Sequence, residues 1–181
     1  MKPWKPLDAV LLLSAPPWLN VYQESVELPS GRILNDFYRV VLPDFAVIVA
    51  VTPNKELVMV RSYKHGLRKI SLSAPAGLVE TGELPLQTAQ RELLEETGYA
   101  ATEWRSMGRF IVDGNRQCGT AHIFLAENAL PVAVGREDEA EEVQVELLSP
   151  NKFLQAIQQG DVATLTTVSA VALVMVSGLG R

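Results

Sequence analysis

The sequence predicts an α/β layered domain, a mixed sheet flanked by helices, preceded by a β extension. Three observations carry this reading. Apolar strand-like runs occupy 45–51 and 56–63, an amphipathic helix follows from about Pro85 to Thr97, and strand patterning resumes at Trp104. Strands, one helix, more strands and then helices is the order of a layered fold. With 181 residues the chain suits one domain, or one domain plus a small extension. We place residues 1–43 in an N-terminal β extension and 44–181 in the main domain.

The early elements come first. Trp18 to Pro29, a Ser30-Gly31 turn and the β-branched and aromatic run from Asn35 to Val41 form a meander of strands. Phe45–Val51 is continuously apolar, as in a strand covered on both faces. Pro53-Asn54 makes a turn, Glu56 to Tyr63 is the hairpin partner, and Lys69 to Ser73 is a further strand. The period then changes. Pro85 suits a first helical turn, Gly98 suits the left-handed position after the last, and Leu86, Ala89 and Leu93 form an apolar stripe. Trp104–Val112, Thr120–Ala126 and Val143–Leu148 are strands, the last preceded by the acidic run Arg136 to Glu142. Ser149-Pro150 starts a helix through Gln159 that Gly160 closes, and a final helix follows.

Bulk composition excludes several classes. A formal charge of −5 disfavours a nucleic acid polymer as partner, because such binding needs a cationic surface. A phosphorylated small molecule stays open, since bound metal ions neutralise a site locally. The single cysteine, Cys118, rules out an internal disulfide and points to a reducing cytoplasm. Cys118 itself reads as a small packed residue rather than a reactive thiol. The run Ala9–Ala15 resembles a short signal segment, but Asp8 interrupts it and prolines follow. The uncharged stretch 162–179 carries threonines and serines and would barely span a bilayer; a buried terminal helix explains it better. No membrane partner is expected.

The chemistry concentrates on the helix. Glu92 and Glu96 lie about 40° apart on a helical wheel and one turn apart, while Glu95 falls about 60° to the other side of Glu92. Their repulsion, close to the helix C-terminus, weakens an isolated helix, and a bound cation relieves it. Oxygen ligands without histidine favour Mg²⁺, or Mn²⁺. Three glutamates alone are more often a solvated face. Their setting shifts the balance: Arg91 stands one turn before Glu95, and a loop with Gly77 and Gly82 ends in Glu83 immediately upstream.

The series Gly77-x₅-Glu83-x₇-Arg91-Glu92-Leu93-x-Glu95-Glu96-x-Gly98-Tyr99 resembles the Nudix box at every defined position. The resemblance implies a Nudix-like α/β/α sandwich that hydrolyses nucleoside diphosphates linked to another group. It implies that Glu92, Glu96 and the backbone carbonyl of Ala76 hold divalent metal, that Glu95 shares or supports this role, and that Arg91 orients the acids. Gly77 and Glu83 shape and brace the loop. More loosely, Arg61-Ser-Tyr-Lys64 followed by Ala74-Pro-Ala-Gly77 is similar to the ADP-ribose or nucleotide-sugar pyrophosphatase branch. That branch takes its general base from the late acidic loop, which makes Glu139 or Glu141 the candidate here. It also implies a homodimer, with the extension at the contact.

Substrate contacts follow from the same comparison. Arg61 is a phosphate ligand by guanidinium geometry. Asn115 and Arg116 are candidate donors to a phosphate or sugar, against the plainer reading of a flexible loop. Trp18 and Tyr22 stack on a base or pack at an interface; His65 reads as a surface residue and His122 as a core one. The chain departs from the branch in two places. Ser73 stands where a glutamate is usual, and Val112 to Gly119 lacks the proline that follows the box in ADP-ribose hydrolases. ADP-glucose and GDP-mannose type substrates therefore stay open beside ADP-ribose. Nucleoside triphosphates, dinucleoside polyphosphates and a non-catalytic nucleotide-sensing role form the alternatives.

Overall fold

The computed structural model describes residues 1–133 and 142–178. In chain order the strands are β1 Lys5–Ala15, β2 Leu19–Glu27, β3 Ile33–Val41, β4 Phe45–Val51, β5 Leu57–Lys64, β6 Lys69–Ser73 and β7 Ala76–Leu78. Helix α1, Pro85–Thr97, is followed by β8 Tyr99–Ala100, β9 Glu103–Asp113, β10 Gln117–Glu127, β11 Leu130–Pro131 and β12 Val143–Leu148. Helices α2, Pro150–Gln159, and α3, Leu165–Val176, end the chain. The residues fall into two compact units, Met1–Asp44 with Phe110–Ala121, and Phe45–Arg109 with His122–Arg181.

In the first unit β1, β2 and β3 form an antiparallel meander. Gly31, at φ 83°, closes the turn between β2 and β3, where only glycine adopts the conformation freely. Arg39 ties the meander across strands: its guanidinium donates to Glu24 at 2.6 Å and to Gln117 at 3.0 Å, and stacks 4.8 Å from the Tyr22 ring centre. Strand β1 is the surprise. The stretch that resembled a signal segment is an edge strand with Val10, Leu11, Leu12 and Leu13 all about half exposed, so its apolar residues face solvent on both sides.

The second unit shows the expected layering. Along β4 the parity of the chain sorts side chains onto two faces. Val47, Val49 and Val51 enter one core with Phe153 of α2 and Ala170, Val171 and Val174 of α3. Ala46, Ile48 and Ala50 enter the other with Ala89 and Leu93 of α1. This is an α/β/α sandwich built on a mixed sheet, in which β4 neighbours β10 and β5, and β5 neighbours β12. A strand buried on both faces needs an unbroken apolar run, which is why 45–51 lacks alternation. No helix among the described residues is long and apolar enough to cross a membrane. The strands β7, β8 and β11 have no counterpart in the sequence reading, being too short to display a period.

Candidate active site

Helix α1 starts with Pro85 in its first turn, and the Gln87 side chain accepts from the Leu84 backbone N–H at 2.9 Å. It ends on Gly98, left-handed at φ 70°, whose N–H returns to Leu94. Ala89 and Leu93, both fully buried, clamp its inner face to the sheet. Because four residues make roughly one turn, this anchoring fixes the direction in which Glu92 and Glu96 project.

Strand β7, antiparallel to β4, brings the loop against the helix. A Cβ on Gly77 would lie 1.9 Å from both Cδ and Oε1 of Glu92, so the carboxylate occupies the space that any side chain at 77 would take. Glu96 sits beside it in the same cradle and accepts from the Ala76 backbone N–H at 3.0 Å. The loop itself closes through Glu83, whose backbone N–H reaches Glu80 at 3.0 Å, with Gly82 in the left-handed region at φ 86°.

Arg91 organises the acids more broadly than sequence spacing alone indicates. Its Nε and Nη2 each lie 3.0 Å from a different oxygen of Glu83, a bidentate pairing, while Nη1 donates to Glu92 at 2.7 Å and to Glu95 at 3.1 Å. Nη2 also donates to the Leu78 carbonyl at 3.3 Å, stitching helix to loop. The hydroxyl of buried Thr88 donates to Glu83 at 2.7 Å, a support that the sequence reading missed. Arg91 and then Thr88 hold the Glu83 carboxyl down at about 2. Glu92 moves the other way: burial, its largest cause, raises it despite Arg91. A carboxylate kept in a tight, poorly solvated cradle favours a cation beside it.

The residues thus fit a divalent ion through the chemistry of the donor set and the glycine cradle. Arg91 holds three of the acids together, and no group of three or more His, Cys, Asp or Glu among the described residues is closed into a metal-binding cluster. Glu92 and Glu96 are the acids that face the β7 backbone.

A cavity of about 190 Å³ opens beside Glu96, lined by Ala76, Ser73, Thr164, Thr167 and Lys64. Lys64, three residues after Arg61, is a cation at this cavity that the sequence reading did not single out. Arg61 instead forms a very short hydrogen bond to Glu146 and an ion pair with Asp161 at 3.9 Å. That partnership depends on the register of β5 with β12, which no local pattern reveals. Trp18, Asn115 and Arg116 belong to the other compact unit, where Asp113 accepts from the Asn115 and Arg116 backbone N–H groups. Glu139 and Glu141 lie outside the described residues. His122 is half-buried in β10.

A half-buried carboxylate pair on an anchored helix, backed by a glycine cradle and an arginine clamp, is a donor set that suits a divalent cation. The NUDIX domain matches residues 42–166, and the chain belongs to that family. It is 32% identical over 154 residues to the ADP-ribose pyrophosphatase of Bacillus subtilis (strain 168), covering 84% of this chain and 83% of that one. It is 32% identical over 156 residues to the methanol dehydrogenase activator of Bacillus methanolicus, covering 82% and 80%. A solved structure of an ADP compounds hydrolase superposes with a TM-score of 0.83 at 19% identity, over 98% of this chain and 95% of that one, which shows the shared fold. The chain is accordingly a Nudix pyrophosphohydrolase, a class that generally uses divalent metal.

Proposed function

We propose that this chain hydrolyses the pyrophosphate bond of a nucleoside diphosphate linked to a sugar, of the ADP-ribose class, with Mg²⁺ as its metal. The observation that supports it most is the fit of the Glu92 carboxylate into the space left by Gly77, with Glu96 against the adjoining β7 backbone. Relatives named for ADP-ribose and ADP-compound hydrolysis point to the substrate class. Glu92, Glu96 and the Ala76 carbonyl would hold the metal. Bound there, it would supply charge neutralisation for the diphosphate and a lowered pKa for a water.

The chain's own residues supply the rest. Arg91 keeps Glu92 and Glu95 aimed and prevents their mutual repulsion from splaying the helix. Glu83, saturated by Arg91 and Thr88, stays ionised and locks the loop. Lys64, in the cavity beside Glu96, offers a point charge to a phosphate oxygen. Glu139 or Glu141 is the proposed general base, Trp18 is a proposed stacking contact to the base, and Asn115 and Arg116 are proposed contacts to a phosphate or sugar. Arg61, which pairs with Glu146, is a further proposed phosphate contact.

The exposed leucines of β1 support a homodimer formed through the N-terminal extension, since contiguous apolar surface marks an interface. The single cysteine suits a cytoplasmic setting. The test is a panel of ADP-ribose, ADP-glucose, GDP-mannose, dinucleoside polyphosphates and nucleoside triphosphates with Mg²⁺, read by product chromatography. ADP-ribose giving AMP and ribose 5-phosphate, lost on chelation, is expected. Preferential triphosphate cleavage would replace the reading, and a monomer by light scattering would remove the dimer.

A further inference from the structure

The cavity beside Glu96 has a polar end, lined by Lys64, Ser73, Thr164, Thr166 and Thr167. All of these residues belong to one compact unit, Phe45–Arg109 with His122–Arg181. Lys64 is the last residue of β5 and Ser73 the last of β6, so two strand ends meet the start of α3 there. Ser73 is 7% exposed, and its hydroxyl has no hydrogen-bond partner among the described residues. The Lys64 ammonium has neither a hydrogen bond nor an ion pair among them. Thr164, the N-cap of α3, does not cap it with its side chain. Its hydroxyl donates instead to Thr167 Oγ1 at 2.9 Å, an oxygen that also accepts from the Ala74 N–H at 3.3 Å. The leading N–H groups of a helix have no partner within it, so those of Leu165 and Thr166 are left without a side-chain acceptor.

The donor set discriminates among ligands. Backbone N–H groups, a hydroxyl and an ammonium all offer hydrogens, whereas spare acceptors are few. Thr167 Oγ1 already takes two donors, and Oε2 of Glu96 accepts from the Ala76 N–H. A ligand that only accepts therefore fits better than a sugar, whose hydroxyls must also donate. The N-terminus of the 12-residue α3 adds partial positive charge to that of Lys64, which selects an anion. Donors arrive from α3, β5 and β6, and three separate directions match the oxygens of a tetrahedral group better than those of a planar carboxylate. Volume sets the size. At about 190 Å³ the cavity is below the range of about 300 Å³ and more that holds a whole small molecule, so it takes one compact group.

We infer that the first turn of α3, with Ser73 and Lys64, forms an anion site that binds a phosphoryl group. Lys64, proposed above as a lone phosphate contact, thereby becomes one wall of a built site. The group comes from the substrate or from free inorganic phosphate, and the first of these sources rests on the pyrophosphohydrolase reading. Ser73 gains the partner it lacks, and the Leu165 and Thr166 N–H groups gain an acceptor.

Two measurements test it. The first needs no turnover: inorganic phosphate is titrated into the protein with a chelator present, so that no divalent ion holds it, and binding is read by calorimetry and by the amide resonances of Leu165 and Thr166. Wild type should bind saturably and shift both resonances. Thr166→Glu puts a carboxylate in the first turn of α3, where negative charge favours the helix, so the fold is kept while phosphate affinity falls by about tenfold or more. Thr166→Lys should tighten binding instead, and Ser73→Ala should weaken it by about tenfold. No saturable binding in wild type, or equal weakening in Thr166→Glu and Thr166→Lys, overturns the site. The second measurement identifies the source by steady-state rates. Phosphate that competes with ADP-ribose, together with a raised KM in Thr166→Glu, makes the group the substrate's own. Phosphate that alters kcat and leaves KM unchanged makes it a free ligand. If wild type does not cleave ADP-ribose, the activity reading fails on its own, and the titration still decides the site.

Discussion

Replacing Gly77 by alanine separates the metal cradle from the fold. Gly77 lies outside the positive-φ glycines, so backbone conformation tolerates alanine there. Space does not: the new Cβ would stand 1.9 Å from Cδ and Oε1 of Glu92 and 2.5 Å from its Cγ. Carbon contacts settle at about 3.5–4.0 Å, so the carboxylate must retreat by about 1.5 Å or more. All three atoms belong to the outer part of a flexible side chain, and rotation relieves the clash without moving β7. The stability cost is therefore about 1 kcal/mol, a Tm loss of about 2–4 °C for a chain of this size. Activity responds differently, since a misplacement of about 1 Å at a reacting centre costs about 10²-fold. Gly77→Ala should lose at least about 10²-fold in kcat/KM for ADP-ribose while melting within a few degrees of wild type. Wild-type turnover would refute the cradle. A collapse of the folded state would show that the backbone, not the carboxylate, fills the space.

The remaining predictions concern the residues around that cradle. Arg91→Lys replaces a planar fork with a point charge that cannot reach Glu83, Glu92 and Glu95 together, and steady-state assays should show a loss of about 10²-fold. Glu83 has a folded-state value of about 2 against an ordinary 4.5, so its contribution to stability is present above 4.5 and lost as pH falls through about 2. Urea titrations should accordingly show wild type losing more stability than Glu83→Gln between those limits; parallel curves would mean that the Arg91 pairing contributes nothing. Lys64→Met should raise KM for ADP-ribose by about tenfold with a smaller change in kcat, as expected for loss of a phosphate contact, and an unchanged KM would remove Lys64 from the site.

The elements most legible in the sequence are those with a long period or a fixed spacing. Phe45–Val51 announced a doubly buried strand, and Pro85 and Gly98 bracketed α1 with their backbone preferences. The two-residue strands β8 and β11 could not, because their pairing is set by partners about thirty residues away. The candidate site divides in the same way. Arg91 beside Glu95 follows from helical geometry, but its grip on Glu83 depends on the loop folding back. Arg61 is a candidate phosphate ligand because guanidinium suits phosphate; its pairing with Glu146, 85 residues on, is a matter of strand register that the sequence does not display. Lys64 was in view in the same motif, and only the shared cavity with Glu96 singles it out. The edge strand β1 was hard to read for another reason: its leucines stay about half exposed on both faces, so no alternation of burial organises them.

The central claim is that Glu92 and Glu96, set against β7, form the metal-binding core of a pyrophosphohydrolase. Its most direct test measures ADP-ribose turnover and Mg²⁺ affinity side by side in wild type and Glu96→Gln. The account predicts AMP release that requires Mg²⁺ in wild type, with turnover down by about 10³-fold or more and Mg²⁺ binding weakened in the folded variant. Wild-type rates and unaltered Mg²⁺ affinity in Glu96→Gln would contradict it.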